Sequence, residues 1–253
     1  MRRIIVIAKN TFKETIRDRI MYGILIFSLL FLLSITVIGS LSLGEDLFII
    51  RSFGLAGIYL FGLIITLFLG ASLIYKEVEL KTIYIILSKP VRDSEVILGK
   101  FLGLLASIGT IIVLMGLIYL SVVWFNGGGV DYGSILAMIL QVFEFSIIIS
   151  ILILLSTFST PIASTIYTIV IVYCGHLLSL MLNYASSAGG LQKYMLLGAY
   201  YLFPNLEKFN IRNLVVHNVG ITQAEFMLTA GYAVVYTGLA LFLAHAIFQK
   251  KEF

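Results

Sequence analysis

Apolar positions along this chain run together rather than alternate with polar ones. Six stretches, Ile20–Leu43, Phe53–Tyr75, Phe101–Phe125, Ile135–Phe158, Ile162–Leu182 and Phe226–Phe248, hold one acidic residue between them, Glu144, and no Lys or Arg. About 20 helical residues cross a hydrocarbon core roughly 30 Å thick, so each stretch predicts a membrane-spanning helix. The expected fold is an all-α polytopic membrane protein with six transmembrane helices, and function has to be sought mainly in what lies between them.

The polar intervals carry patterns of their own. In residues 1–19, Ile4, Ile5, Ala8, Phe12 and Ile16 fall on one helical face at ~100° per residue, with Lys9, Asn10, Lys13, Glu14, Arg17 and Asp18 opposite. A basic face backed by an apolar one suits a helix lying in the headgroup plane, with Ile5, Phe12 and Ile16 towards lipid and Lys9 and Lys13 towards water. The plain alternative is a positively charged anchor with no further role. Gly44–Ser52 and the glycine-rich Asn126–Gly133 read as short turns; the latter follows no strand and is no phosphate loop. Ser159-Thr160-Pro161 leaves so little chain that the fourth and fifth helices must be antiparallel neighbours, with Pro161 in the first turn of the fifth. Residues 183–225 form the longest connection. Within this outer segment Met195–Phe203, flanked by Tyr194 and containing Tyr200 and Tyr201, predicts a short helix on or dipping into the outer leaflet, ended by Pro204-Asn205.

The interval Lys76–Lys100 reads KEVELKTIYIILSKPVRDSEVILGK, too charged to span and too apolar for a linker. Val78, Thr82, Ile85 and Ile86 recur at near-helical spacing, so the second span should continue past the membrane as an amphipathic helix. Lys89-Pro90 breaks it, because the residue before proline is pushed out of helical geometry. Asp93 is placed to cap the helix that enters span three. The result is a helix–break–helix elbow whose apolar stripe needs a partner; the inner leaflet and the N-terminal helix are the plain candidates.

Composition narrows this further. The chain of 253 residues is 60% hydrophobic and 12% charged, where a soluble domain would be about a quarter charged. Mean hydropathy is +1.07. One transmembrane domain covering 1–253 is expected, with the first apolar segment kept as a span because it is too long for a signal h-region and lacks a cleavage pattern. The single Cys174 permits no disulfide within the chain. The net charge of +4 does not point to nucleic acid, because the charges flank spans. Arg2 to Arg19, Lys76 to Lys100, Lys250 and Lys251 fall on one side, against only Arg51, Lys193, Lys208 and Arg212 on the other. The positive-inside rule then puts both termini in the cytoplasm of a cell (inner) membrane protein.

Glu77-x-Glu79-Leu80-Lys81-Thr82, Leu87-Ser88-Lys89-Pro90-Val91-Arg92 and Gly99-Lys100-Phe101 resemble the first cytoplasmic loop of ABC-2 type exporter permeases. Ala8 to Glu14 followed by Arg17-Asp18-Arg19 resembles the N-terminal elbow helix of that family. Leu202-Phe203-Pro204-Asn205-Leu206-Glu207-Lys208-Phe209-Asn210 is similar to the branch containing the nitrous-oxide-reductase maturation permease. Lys81 departs from the glycine often found there. The resemblance implies a permease chain that pairs with a second one, as a homodimer or with a similar permease, around a path walled by spans one, two and five. It also implies two cytoplasmic ABC ATPase subunits docked on a coupling loop made by Glu77, Glu79, Thr82, Ile85, Ile86, Leu87, Lys89, Pro90 and Arg92. ATP and Mg would be bound by those partners, with no cofactor in this chain. A P-loop is not formed here, since Phe101 follows Gly99-Lys100 and Ser94 stands where the leading glycine belongs.

Glu144 is costly inside a span and is a functional candidate by default, with Gln141 one turn earlier. A protonated or hydrogen-bonded carboxyl at a helix interface is the plain alternative. Cys174 and His176 are two residues apart and point to different faces, a weak metal pattern. His245 is expected at the interface and His217 in solvent. No nucleophile–base arrangement or paired carboxylates emerge, so no enzyme centre is expected. An intramembrane enzyme centred on Glu144 and a non-transporting scaffold remain as alternatives to a permease subunit, and the cargo is not legible.

Overall fold

The computed structural model describes residues 2–40, 46–79, 92–129, 131–187, 189–217 and 219–249. Helices dominate these residues, with no strand among the described residues. In chain order the helices are α1 (Arg2–Ile16), α2 (Arg19–Ser40), α3 (Asp46–Glu79), α4 (Asp93–Phe125), α5 (Tyr132–Ser156), α6 (Pro161–Ser187), α7 (Gly190–Leu202), a 3₁₀ turn (Glu207–Phe209), α8 (Arg212–Val216) and α9 (Gln223–Gln249). Six of them, α2 to α6 and α9, are long and apolar enough to cross a bilayer.

The helices begin and end where backbone chemistry favours it. Thr222 and Glu225 form a reciprocal cap at the start of α9, with Glu225 Oε2 accepting from Thr222 N–H at 3.0 Å and Thr222 Oγ1 accepting from Glu225 N–H at 3.3 Å. Asp131 caps α5, its Oδ1 accepting from Ser134 N–H at 3.2 Å. After α4 the chain turns through Gly127 and Gly129 at φ +83° and +65°, a region costly for any residue with a Cβ.

Several boundaries differ from those the sequence predicts. Asp46–Ser52 lies within α3 instead of in a loop. Its charges do not require a loop, because Arg51 pairs with Asp131 at 3.0 Å inside the fold. Asp93 is the first residue of α4 rather than its cap; Arg92 holds the cap position in extended geometry, and the Glu95 carboxylate accepts its N–H at 3.2 Å. Asp93 and Glu95 in the first turn instead complement the helix dipole. At 34 and 33 residues, α3 and α4 are each about 50 Å long and exceed the hydrocarbon core. α3 carries its helix through Lys76 to Glu79, as the amphipathic continuation requires.

Burial sorts the spans into two sets. The most apolar stretches of α5, α3 and α4 are 67%, 61% and 50% buried, against 22% for each of α2, α6 and α9. α5 is hydrophobic all round and packs on α3, α4, α6 and α9, as a helix with no polar face must. Phe145, Ile147, Ile148, Ile149 and Leu152 are fully enclosed. Close approach depends on glycines of α3, where side chains of neighbouring helices rest on bare backbone: Tyr119 on Gly54, Phe31 on Gly57, Phe145 on Gly62 and Leu152 on Gly70. Those glycines serve close helix contacts within the chain.

α1 packs along α4. A Cβ on Gly99 would come within 2.7 Å of Ile7, and one on Gly103 within 2.6 Å of Thr11. The seam therefore runs through Ile4, Ile7, Thr11 and Thr15. It buries two threonines, while Ile5 of the predicted apolar face stays 65% exposed and Phe12 and Ile16 are half-buried. Lys9 and Lys13 are exposed.

Candidate functional site

The predicted coupling-loop residues are only partly visible. Thr82, Ile85, Ile86, Leu87, Lys89 and Pro90 lie outside the described residues. Glu77 and Glu79 end α3, with side chains outside the description, and Arg92 precedes α4. The break at Lys89-Pro90 is likewise outside.

Gln141 and Glu144 are both buried, on the face of α5 turned towards α3 and α6. The structure brings to Glu144 partners that the linear pattern did not connect to it. Tyr59 of α3 donates its hydroxyl to Glu144 Oε1 at 2.8 Å. His176 of α6 places Nε2 2.9 Å from the same oxygen and 2.8 Å from Tyr59 Oη. Its other nitrogen, Nδ1, lies 3.0 Å from Glu207 Oε2. Glu207 Oε1 accepts from Asn210 Nδ2 at 3.1 Å, and Asn210 Oδ1 accepts from Arg212 Nε at 2.8 Å. The Arg212 guanidinium sits over the Tyr59 ring, 5.1 Å from its centroid, while Phe145 stacks on that ring at 5.6 Å. Gln141 donates to Leu55 O at 3.3 Å, and its own carbonyl oxygen is buried without a hydrogen-bond partner.

The connection after α7 is held to the bundle so that Glu207 reaches His176. Gly175, next to His176, is the docking point. A Cβ there would meet Pro204 O at 2.7 Å, and Leu206 N–H donates to Gly175 O at 3.3 Å. Leu206 and Phe209 are buried and carry the anchoring; truncating either to alanine would cost about 2–5 kcal/mol. Tyr232 of α9 accepts from Asn205 N–H at 2.9 Å, with Lys208 over its ring.

A cluster of this kind is poor at stabilising a bundle. An interhelical hydrogen bond in a bilayer contributes about 0.6 kcal/mol on average. Burying ions costs several kcal/mol each, which their attraction offsets only when the geometry is good. The carboxylates also sit on opposite nitrogens of one imidazole and do not converge on a point. Among the described residues no group of three metal-ligating side chains forms. Cys174 is free and half-buried. What the geometry offers is a hydrogen-bonded junction of ionisable side chains joining α3, α5 and α6 to the connection that follows α7.

The sequence signals for these residues were present but unconnected: a histidine within a span, an acid soon after Pro204, and a buried carboxylate in want of a partner. His217 is exposed, as expected, with Phe48 against its ring. His245 is half-buried in α9.

A second polar cluster ties α3, α4 and α5 together. Asp131 pairs with Arg51 and accepts from Ser134 Oγ at 2.7 Å, and Ser134 Oγ lies 2.7 Å from Tyr119 Oη.

No curated protein matches the chain. A family model described as ABC-2 family transporter protein matches residues 5–253, nearly its full length. With six membrane-length helices and that match, the chain belongs to the ABC-2 family of transporter membrane proteins.

Proposed function

We propose that this chain is the permease subunit of an ABC exporter, moving cargo with energy from ATP hydrolysed by separate subunits. Family membership carries the proposal. The chain supplies spans but no phosphate-binding loop, so nucleotide and Mg belong to a partner. Two ATPase subunits dock on Lys76–Lys100 at the α1 end of the bundle, which is cytoplasmic by its excess of Lys and Arg. That orientation suits an inner membrane with both termini inside. The helical continuation of α3 to Glu79, well beyond a membrane's thickness, supports a rigid lever between docking site and spans.

A second permease chain completes the path. α2 and α6, the less buried of the three spans expected to line it, supply the wall, with α3 largely enclosed behind them. Within the family, Leu202–Asn210 supports the branch containing the nitrous-oxide-reductase maturation permease. The direct test of docking is the double substitution Ile85→Asp, Ile86→Asp. It should release the ATPase, at a loss of roughly 2–4 kcal/mol for each interface anchor, while the spans stay folded. Unchanged ATPase capture by the variant would place the docking site elsewhere.

A further inference from the structure

Glu144, His176 and Glu207 form a graded series from the bundle interior to the surface of the fold. Their side chains are 2%, 20% and 37% exposed. Glu144 Oε1 is 2.9 Å from His176 Nε2, and His176 Nδ1 is 3.0 Å from Glu207 Oε2. One imidazole thus bridges a sealed carboxylate and an open one, with a nitrogen for each. We propose that the three residues are a proton relay that loads and unloads one proton on Glu144 from the aqueous face carrying Glu207. The relay depends on geometry within the chain; only the naming of that face as extracytoplasmic rests on the orientation proposed above.

The transfer balances without a co-reactant other than water. Take the imidazole neutral, with N–H on Nε2 directed at the Glu144 carboxylate and the Nδ1 lone pair facing Glu207. A hydronium ion protonates Glu207 and leaves as water. Glu207 passes the proton to Nδ1, giving imidazolium, and Nε2 releases its own proton to Glu144 Oε1. One proton has left the water, Glu144 is a carboxylic acid, and the imidazole is neutral again as its other tautomer. Unloading retraces these steps, so no ring flip is needed. Histidine suits this because its two nitrogens are distinct and both exchange protons. Intramembrane acid–histidine chains mark such paths.

The groups facing the relay fit a local store. Tyr59 of α3 hydrogen-bonds Glu144, and Arg212 lies over the Tyr59 ring. Gln141 and Phe145, the neighbours on α5, do not titrate. Asn210 holds Glu207 from its own segment. Towards the α1 end, α5 continues into Phe145, Ile148, Ile149 and Leu152, fully enclosed apolar side chains that carry no proton. Among the described residues the hydrogen-bonded series ends at Glu144, which makes it a store filled from one face and not a channel.

The test uses the full-length chain in lipid vesicles and infrared difference spectra after rapid acidification of one compartment. The readout is the carboxylic C=O band that Glu144→Gln abolishes, and an N-terminal tag locates the α1 face. The band should grow when the Glu207 face is acidified. His176→Gln keeps a donor and an acceptor but cannot take one proton while releasing another, and should slow loading on the order of a hundredfold, the scale of losing a positioned acid–base group. If that variant fails to assemble, Glu207→Gln at the exposed end decides, with slower loading in support and an unchanged rate against. Loading at the wild-type rate in His176→Gln, loading only from the α1 face, or wild-type spectra indistinguishable from Glu144→Gln at every pH each overturn the relay. None of these outcomes bears on whether an ATPase docks on Lys76–Lys100.

Discussion

Glu144 is the residue on which the interior chemistry turns, and its surroundings fix what substitutions should do. Glu144→Gln keeps an acceptor for Tyr59 and His176 and should leave thermal stability in detergent nearly unchanged. Glu144→Ala strands both of those donors and should cost about 1–3 kcal/mol for each group left unsatisfied. Equal melting temperatures for the two variants would show that the hydrogen bonds at Glu144 are not made. Asp131 offers a parallel case, as cap of α5 and partner of the half-buried Arg51. Asp131→Ala removes both the cap and one partner of that charge and should cost about 1–3 kcal/mol. Asp131→Asn, which keeps the cap, should lose less, and equal losses would assign the whole effect to the ion pair. Glu144 and Gln141 were legible from sequence because polar groups inside a span are conspicuous. Their partners were not, because Tyr59 lies 85 positions from Glu144 and His176 lies 32 away, distances that only tertiary packing closes.

At the scale of elements, long apolar runs locate spans well because a bilayer imposes their length, whereas their ends depend on contacts made elsewhere. Asp46–Ser52 looks like a loop until Asp131 takes up the charge of Arg51. The seam of α1 was likewise only half legible. Gly99 and Gly103 let α4 come so near that Thr11 and Thr15 fill the gap, a choice that hydrophobic periodicity does not register. Replacing Gly103 with valine should therefore overpack this seam and destabilise it by about 1–3 kcal/mol, read as increased mobility of a spin label at Ala8. An immobile label and unchanged melting would contradict the seam. We expect α1 to lie on the inner leaflet, so labels at Ile5 should report lipid and labels at Lys9 and Lys13 water. Equal accessibility at all three would remove that expectation.

For the whole molecule, the account joins a bundle centred on α5 to an energy source it does not contain. The three outer spans leave broad apolar faces, for example Phe27, Leu30 and Val37 on α2 and Ile166, Val170 and Tyr173 on α6, which lipid and a second permease chain would share. Tyr59 of the interior junction lies on α3, the helix that runs on to Glu79, so coupling to a partner docked beyond Glu79 would pass along α3. The most direct test of the central claim is native mass spectrometry of the detergent-solubilised assembly, combined with an ATP hydrolysis assay on the same preparation. The account predicts two permease chains with two ATPase subunits, hydrolysis that requires the ATPase, and collapse to the permease alone when Ile85 and Ile86 are both aspartate. A chain that occurs strictly as a monomer, or in an assembly without any nucleotide-binding subunit, would contradict it.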